Sequence, residues 1–103
     1  MLFLVELDHV KSGAVPTYEE GEAFIEQVIL PTLARAEQLI AEKKIVSGGA
    51  AAGRIGLRLI AEAREPADVE QLVSGLPLWP LAETRVTPLV TIAELLESVR
   101  GRR

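Results

Sequence analysis

Three observations predict an α+β domain. The first ten residues, MLFLVELDHV, alternate like a strand. Residues 18–43 repeat apolar side chains at helical spacing. The two patterns then recur in the order β-α-β-β-α-β, with a short helix at the tail. The 103 residues make one domain's length, taken as a single domain over 1–103. An apolar fraction of 49% is enough for one core, and with four aromatic side chains (Phe3, Tyr18, Phe24 and Trp79) that core must be mostly aliphatic.

In the first strand Phe3, Val5 and Leu7 share one face, and Leu2, Leu4, Glu6 and Asp8 the other. Lys11 to Pro16 reads as a loop. Thr17 and Glu20 have capping-box spacing and open the long helical segment, whose stripe is Ile25, Val28, Ile29, Leu33, Ala36, Leu39 and Ile40. Pro31 interrupts it, predicting a kink near 27–30 or two helices in tandem. Residues 45–52 and 55–63 read as two strands joined by a tight turn at Gly53. Ile55, Leu57, Leu59 and Ala61 share one face of the second, and Gly56, Arg58, Ile60 and Glu62 the other. Pro66 opens a short helix that Gly75 stops, with Val69, Leu72 and Val73 on its buried side. Residues 76–80, LPLWP, are too rich in proline for a regular element. Residues 83–90 read as the last strand, which Pro88 confines to an edge or a strand end. Thr91 and Glu94 repeat the capping box before a terminal helix marked by Ile92, Leu95, Leu96 and Val99.

This order is the ferredoxin-like one, with two helices on one face of a four-stranded antiparallel sheet. The apolar face of the first strand must meet the helices. The other face keeps Leu2, Leu4 and Ile60 beside its charges, and such a face rarely stays bare. A second copy of the chain would cover it, giving a dimeric α+β barrel and predicting a homo-oligomer.

Several function classes fall away. With no Cys there is no disulfide framework, thiol nucleophile or Cys-based metal site, and a single His excludes a multi-His metal centre. A net charge of −4 argues against a nucleic-acid partner. The one basic cluster, Arg100, Arg102 and Arg103, suits a helix C-terminus or a frayed tail. No apolar run approaches the ~20 residues of a membrane span, and Leu2 to Val5 is too short for a signal-peptide core. A soluble, cytoplasmic protein is expected.

The phrase MLFLVEL, the small-residue hairpin, Leu76-Pro77-Leu78-Trp79-Pro80 and Arg85-Val86-Thr87-Pro88-Leu89 together resemble the muconolactone δ-isomerase family. Members of that family open with Met-Leu-Phe-His-Val-Lys-Met and carry Leu-Pro-Leu-Phe-Pro before the last strand. The resemblance spans most of the chain up to the last strand and is most specific from Leu76 to Leu89. It implies a dimeric α+β barrel and a proton shift in a small unsaturated lactone without metal or organic cofactor. This chain departs from the family in strand one, where Leu4 and Glu6 replace a His and a Lys. It departs again in the hairpin, where Ser47 to Gly53 replaces a polar, aromatic segment. No basic catalytic residue of strand one therefore carries over.

The residues themselves nominate a site on the uncovered face. Glu6 is the expected proton-transfer residue and Arg58 its electrostatic partner, because a proton shift beside a carbonyl needs an acceptor and a stabiliser of negative charge. Asp8 lies farther along the same face, to orient the substrate or exclude others by charge, and Glu83, Arg85 and Thr87 join it if the last strand keeps phase. Arg85 would bind a carboxylate. The opposing reading of these charges is interstrand ion pairing at a dimer interface. Trp79 would wall a ligand pocket or plug the sheet end. His9, in phase with Phe3, Val5 and Leu7, would be an acid/base at the pocket mouth or would cap a loop. Gly48, Gly49 and Gly53 precede a strand and lack a following Lys-Ser/Thr, so they are no phosphate loop. Glu19, Glu22 and Glu26 read as a solvated helix face, with metal binding the lesser reading. Ser12, Ser47, Ser74 and Ser98 stand in no nucleophile elbow. Two functions follow: a cofactor-free isomerase acting on a small lactone or carboxylate, or a non-catalytic ligand-binding oligomer on the same scaffold. Fold analogy adds a cofactor-independent monooxygenase.

Overall fold

In the computed structural model, residues 1–10 and 15–102 are described, so most of the loop expected at Lys11 to Pro16, with Ser12 and Gly13, lies outside the described residues, as does Arg103. Strand β1 is Leu2–His9. It is followed by α1 (Tyr18–Phe24), a π-helical turn (Ile25–Ile29), α2 (Leu30–Ala41), β2 (Ile45–Ala50), β3 (Gly56–Glu62), α3 (Pro66–Val73), β4 (Ala82–Leu89) and α4 (Ile92–Arg100). The sheet order is β2-β3-β1-β4, every neighbour antiparallel. This is the ferredoxin-like arrangement expected, and β4, with Pro88, is an edge strand as proline requires.

The core lies between the helices and one sheet face. Phe3, Val5 and Leu7 of β1 and Leu57, Leu59 and Ala61 of β3 are buried there with Leu39, Ile45, Val69, Val73, Leu76 and Leu78. Burying each of the larger aliphatic or aromatic side chains contributes roughly 1.5–3 kcal/mol.

Pro31 interrupts the long helical segment close to the expected place, a π-helical turn at Ile25–Ile29 separating α1 from α2. It has no N–H, and its ring would clash with the carbonyl four residues earlier. The chain widens instead into the π turn, where the Leu30 N–H bonds back to the Ile25 carbonyl. The wider turn shifts the helical phase. As a result Thr32, Ala36 and Leu39 face the core, while Ile25, Leu33 and Ile40 of the expected stripe stay largely exposed. Thr32 pins the proline-rich segment, its Oγ1 accepting the Leu78 N–H at 3.0 Å. That segment is more regular than expected: Trp79–Leu81 is a 3₁₀ turn, closed by Trp79 N–H to Leu76 and Leu81 N–H to Leu78.

The hairpin strands are shorter than expected because the turn consumes residues 51–55. Gly53 takes φ +82°, and the Ala51 N–H bonds the Gly56 carbonyl. A bulge at Val46 separates Ile45, paired with Ala61, from Ser47, paired with Ile60. Gly48 lies against β3, where a Cβ would meet the Arg58 carbonyl and the Leu59 side chain at 2.8 Å. Both expected capping boxes, Thr17 with Glu20 and Thr91 with Glu94, are formed.

Candidate functional site

The open face of the sheet is built by strand alternation. Register sets Glu6 of β1 directly across from Arg58 of β3 on one side and from Arg85 of β4 on the other. Two residues along, Asp8 stands between Gly56 and Glu83. The central position of β1 therefore brings Glu6, Asp8, Arg58 and Arg85 onto one face.

Arg58 organises the group. Its Nε lies 3.3 Å from Glu6 Oε2, and its Nη1 and Nη2 donate to Asp8 Oδ1 and Oδ2 at 3.1 and 3.2 Å. Nη1 also donates to the Leu57 carbonyl. Arg54, in the hairpin turn, brings Nε to 3.7 Å from Asp8 Oδ1. The hydrogen bond from Arg58 holds the Asp8 carboxyl below the ordinary carboxylate range; partial burial opposes this, and the charges of Arg54, Arg58 and Arg85 reinforce it. Arg85 is exposed, and its side chain makes no ion pair or hydrogen bond among the described residues.

Gly56 makes the Asp8–Arg58 contact possible, and sequence reasoning assigned it no role. A Cβ there would collide with Asp8 Oδ1 and stand 3.0 Å from the Leu7 carbonyl. Its signal was present, since an isolated glycine inside a strand marks a close approach. Arg54 was also missed, because a turn residue has no strand phase from which to read its direction.

Trp79 and His9 lie on the other side of the sheet. Trp79 is half-buried against the core and walls an open groove of about 570 Å³, floored by Ala82, Thr84 and Val86 on the helix-facing side of β4 and flanked by Pro66 and Val73. His9 keeps the phase of Phe3, Val5 and Leu7. Its ring sits 4.8 Å from that of Phe24 at 46°, and its Nδ1 is buried without a partner among the described residues. The Thr84 hydroxyl is buried in the same condition. The structure thus gathers Glu6, Asp8, Arg58 and Arg85 and sets Trp79 and His9 apart from them. Glu19, Glu22 and Glu26 are all exposed. Among the described residues no helix is long and apolar enough to cross a membrane.

No family model and no curated protein sequence matches the chain. Solved structures do. The chain is similar to a 5-chloro-2-hydroxyhydroquinone dehydrochlorinase from Burkholderia phenoliruptrix, solved in complex with 2,5-dihydroxybenzoquinone. The TM-score is 0.66 at 24% identity, over 91% of this chain and 98% of that one. It is also similar to a muconolactone isomerase, with a TM-score of 0.69 at 20% identity, over 88% of this chain and 90% of that one. At these identities the likeness establishes the fold.

Proposed function

We propose that this protein is a cofactor-free isomerase that moves a proton within a small lactone or carboxylate, on the open face of its sheet. The observation that carries this reading is the pair Glu6 and Arg85, directly across from each other, with the Arg85 guanidinium uncommitted. The sequence nominated Arg58 as the electrostatic partner. Arg58 is occupied by Glu6 and Asp8, so it orients the carboxylates, and Arg85 is the cation available to a substrate.

In this mechanism Glu6 removes a proton from the carbon beside a carbonyl. The C–H electron pair moves towards the carbonyl oxygen, and Arg85 holds the charge that develops there or on a neighbouring carboxylate. The protonated Glu6 returns the proton farther along the conjugated system, so the double bond shifts with no net gain or loss of atoms. No metal or organic cofactor is needed. The fold's occurrence in a muconolactone isomerase, and in a dehydrochlorinase that holds a small planar quinone, supports a small ring as ligand. In the isolated chain Leu2, Leu4 and Ile60 on this face are only half-buried. A second copy laid over them, forming a dimeric barrel, would shield the site from water. A cytoplasmic setting suits such an enzyme.

The three-way contact of Arg58 with Glu6 and Asp8 favours a second reading, a non-catalytic oligomer in which these charges staple strands. One experiment separates the two. A thermal-shift screen of small lactones and carboxylates finds a ligand, and turnover is then followed in Glu6→Gln. Loss of about a hundredfold or more supports the isomerase. Unchanged turnover with an intact fold removes Glu6 from the chemistry, and a ligand that binds without turnover supports the second reading.

A further inference from the structure

An open groove of about 500 Å³ separates α2 from α3 beside the end of β3. Its floor is apolar: Leu39, Ala63 and Leu72 belong to the core or pack against it. Its rim is cationic, with Arg35 from α2, Lys44 just after α2 and Arg64 just before α3. Three cations around one groove stand out in a chain of net charge −4.

The backbone fixes where these cations stand. Lys43 has φ 63°, so α2 ends abruptly, and the Lys44 N–H bonds the Leu39 carbonyl at 3.0 Å. The Glu62 N–H in turn bonds the Lys44 carbonyl at 3.0 Å, tying the end of α2 to β3. Arg64 follows on the same stretch of chain.

Nothing in the fold accounts for Arg64. It precedes Glu65, the N-cap of α3, where the helix dipole disfavours a cation. Its side chain is exposed and makes no ion pair or hydrogen bond among the described residues. Arg35 and Lys44 share one carboxylate, Glu42, at 3.9 and 3.2 Å. Of the groove's own carboxylates, Glu62 is taken by the terminal ammonium at 2.8 Å, which leaves Asp68. The local balance stays positive.

We propose that this groove is a second binding site, for a small monocarboxylate with a flat apolar body. The body lies on Leu39, Ala63 and Leu72, and the carboxylate takes the Arg64 guanidinium, with Arg35 and Lys44 adding charge. Asp68, on the α3 wall, repels a second negative charge, so a dianion is the poorer ligand. A bare inorganic anion leaves the apolar floor uncovered and gains only the electrostatic part. This inference goes beyond the isomerase reading and does not depend on it, since the groove lies on the helix side of the sheet and Glu6 on the other.

The test titrates the full chain with benzoate and follows its methyl groups by NMR. The expected result is saturable shifts at Ala63 and Leu72, with binding weakened about tenfold in Arg64→Gln. Sulfate and the dianion phthalate should each bind about tenfold more weakly than benzoate, and benzyl alcohol, which has the ring without the charge, likewise. Arg85→Gln removes the cation proposed for the catalytic face and leaves the Ala63 and Leu72 shifts intact, so failure of that reading and failure of this one are told apart. Absence of shifts at Ala63 and Leu72, or shifts confined to Leu4 and Ile60 on the open face, overturns the proposal. Unchanged affinity in Arg64→Gln overturns it as well. Sulfate, phthalate or benzyl alcohol binding as tightly as benzoate overturns the assigned ligand class.

Discussion

Arg58 grips Asp8 through two parallel contacts, Nη1 to Oδ1 at 3.1 Å and Nη2 to Oδ2 at 3.2 Å, between residues 50 positions apart in the chain. The grip depends on what is missing at Gly56, the residue across from Asp8 on β3. Two-pronged guanidinium–carboxylate contacts fix direction as well as distance. This one determines which arginine of the face stays available.

Gly56→Ala should therefore lower stability by about 1–3 kcal/mol, as inserting a methyl into filled space does. Gly49→Ala is the control, because a Cβ there meets nothing within 4 Å. Its change should stay within about 0.5 kcal/mol. Urea unfolding of both variants measures the difference. Equal values would mean that Asp8 moves aside without cost.

The Asp8 carboxyl titrates below its ordinary value of 3.8 in the folded chain, chiefly through its hydrogen bond with Arg58. A depressed folded value means that the unfolded chain binds the proton first as pH falls. The stabilisation is thus complete above the ordinary value and is lost as pH drops through the folded one. Below about pH 4 the parent protein should lose stability more steeply than Asp8→Asn. Thermal melts between neutral and strongly acid pH show this as converging curves, and parallel curves would contradict it.

Thr32→Val should leave the buried Leu78 N–H without an acceptor, at a cost of about 1–3 kcal/mol. Thr32→Ser keeps the oxygen and should recover most of that loss. Chemical denaturation measures both, and Trp79 emission should report loosening of its loop in Thr32→Val alone.

Leu4→Asp places a carboxylate on the half-buried sheet face. If that face pairs with a second copy, sedimentation at micromolar concentration should show a smaller species than the parent. A parent protein that is monomeric there, or a variant that sediments unchanged, would rule out pairing through this face.

Much of the fold was legible because each signal was local. Alternation in MLFLVELDHV, the two capping boxes and the Pro66 start each depend on neighbouring residues, and all appear in the structure. Phase also placed Glu6, Asp8 and Arg58 on one face. The turn at Gly53 and the interruption before Pro31 were both expected, but not that the turn takes residues 51–55 or that the interruption is a π turn. In each, a single backbone adjustment redistributes several residues, and so Thr32 rather than Leu33 turns inward.

The sequence by itself determined the order of elements, the aliphatic core and the charged set on the uncovered face, because periodicity assigns each side chain to a side. Tertiary structure alone decided how those charges divide. Strand register put Arg58 within reach of both Glu6 and Asp8 and left the Arg85 side chain uncommitted. Register is a relation between distant segments, set by the packing of the whole core, and no local pattern encodes it.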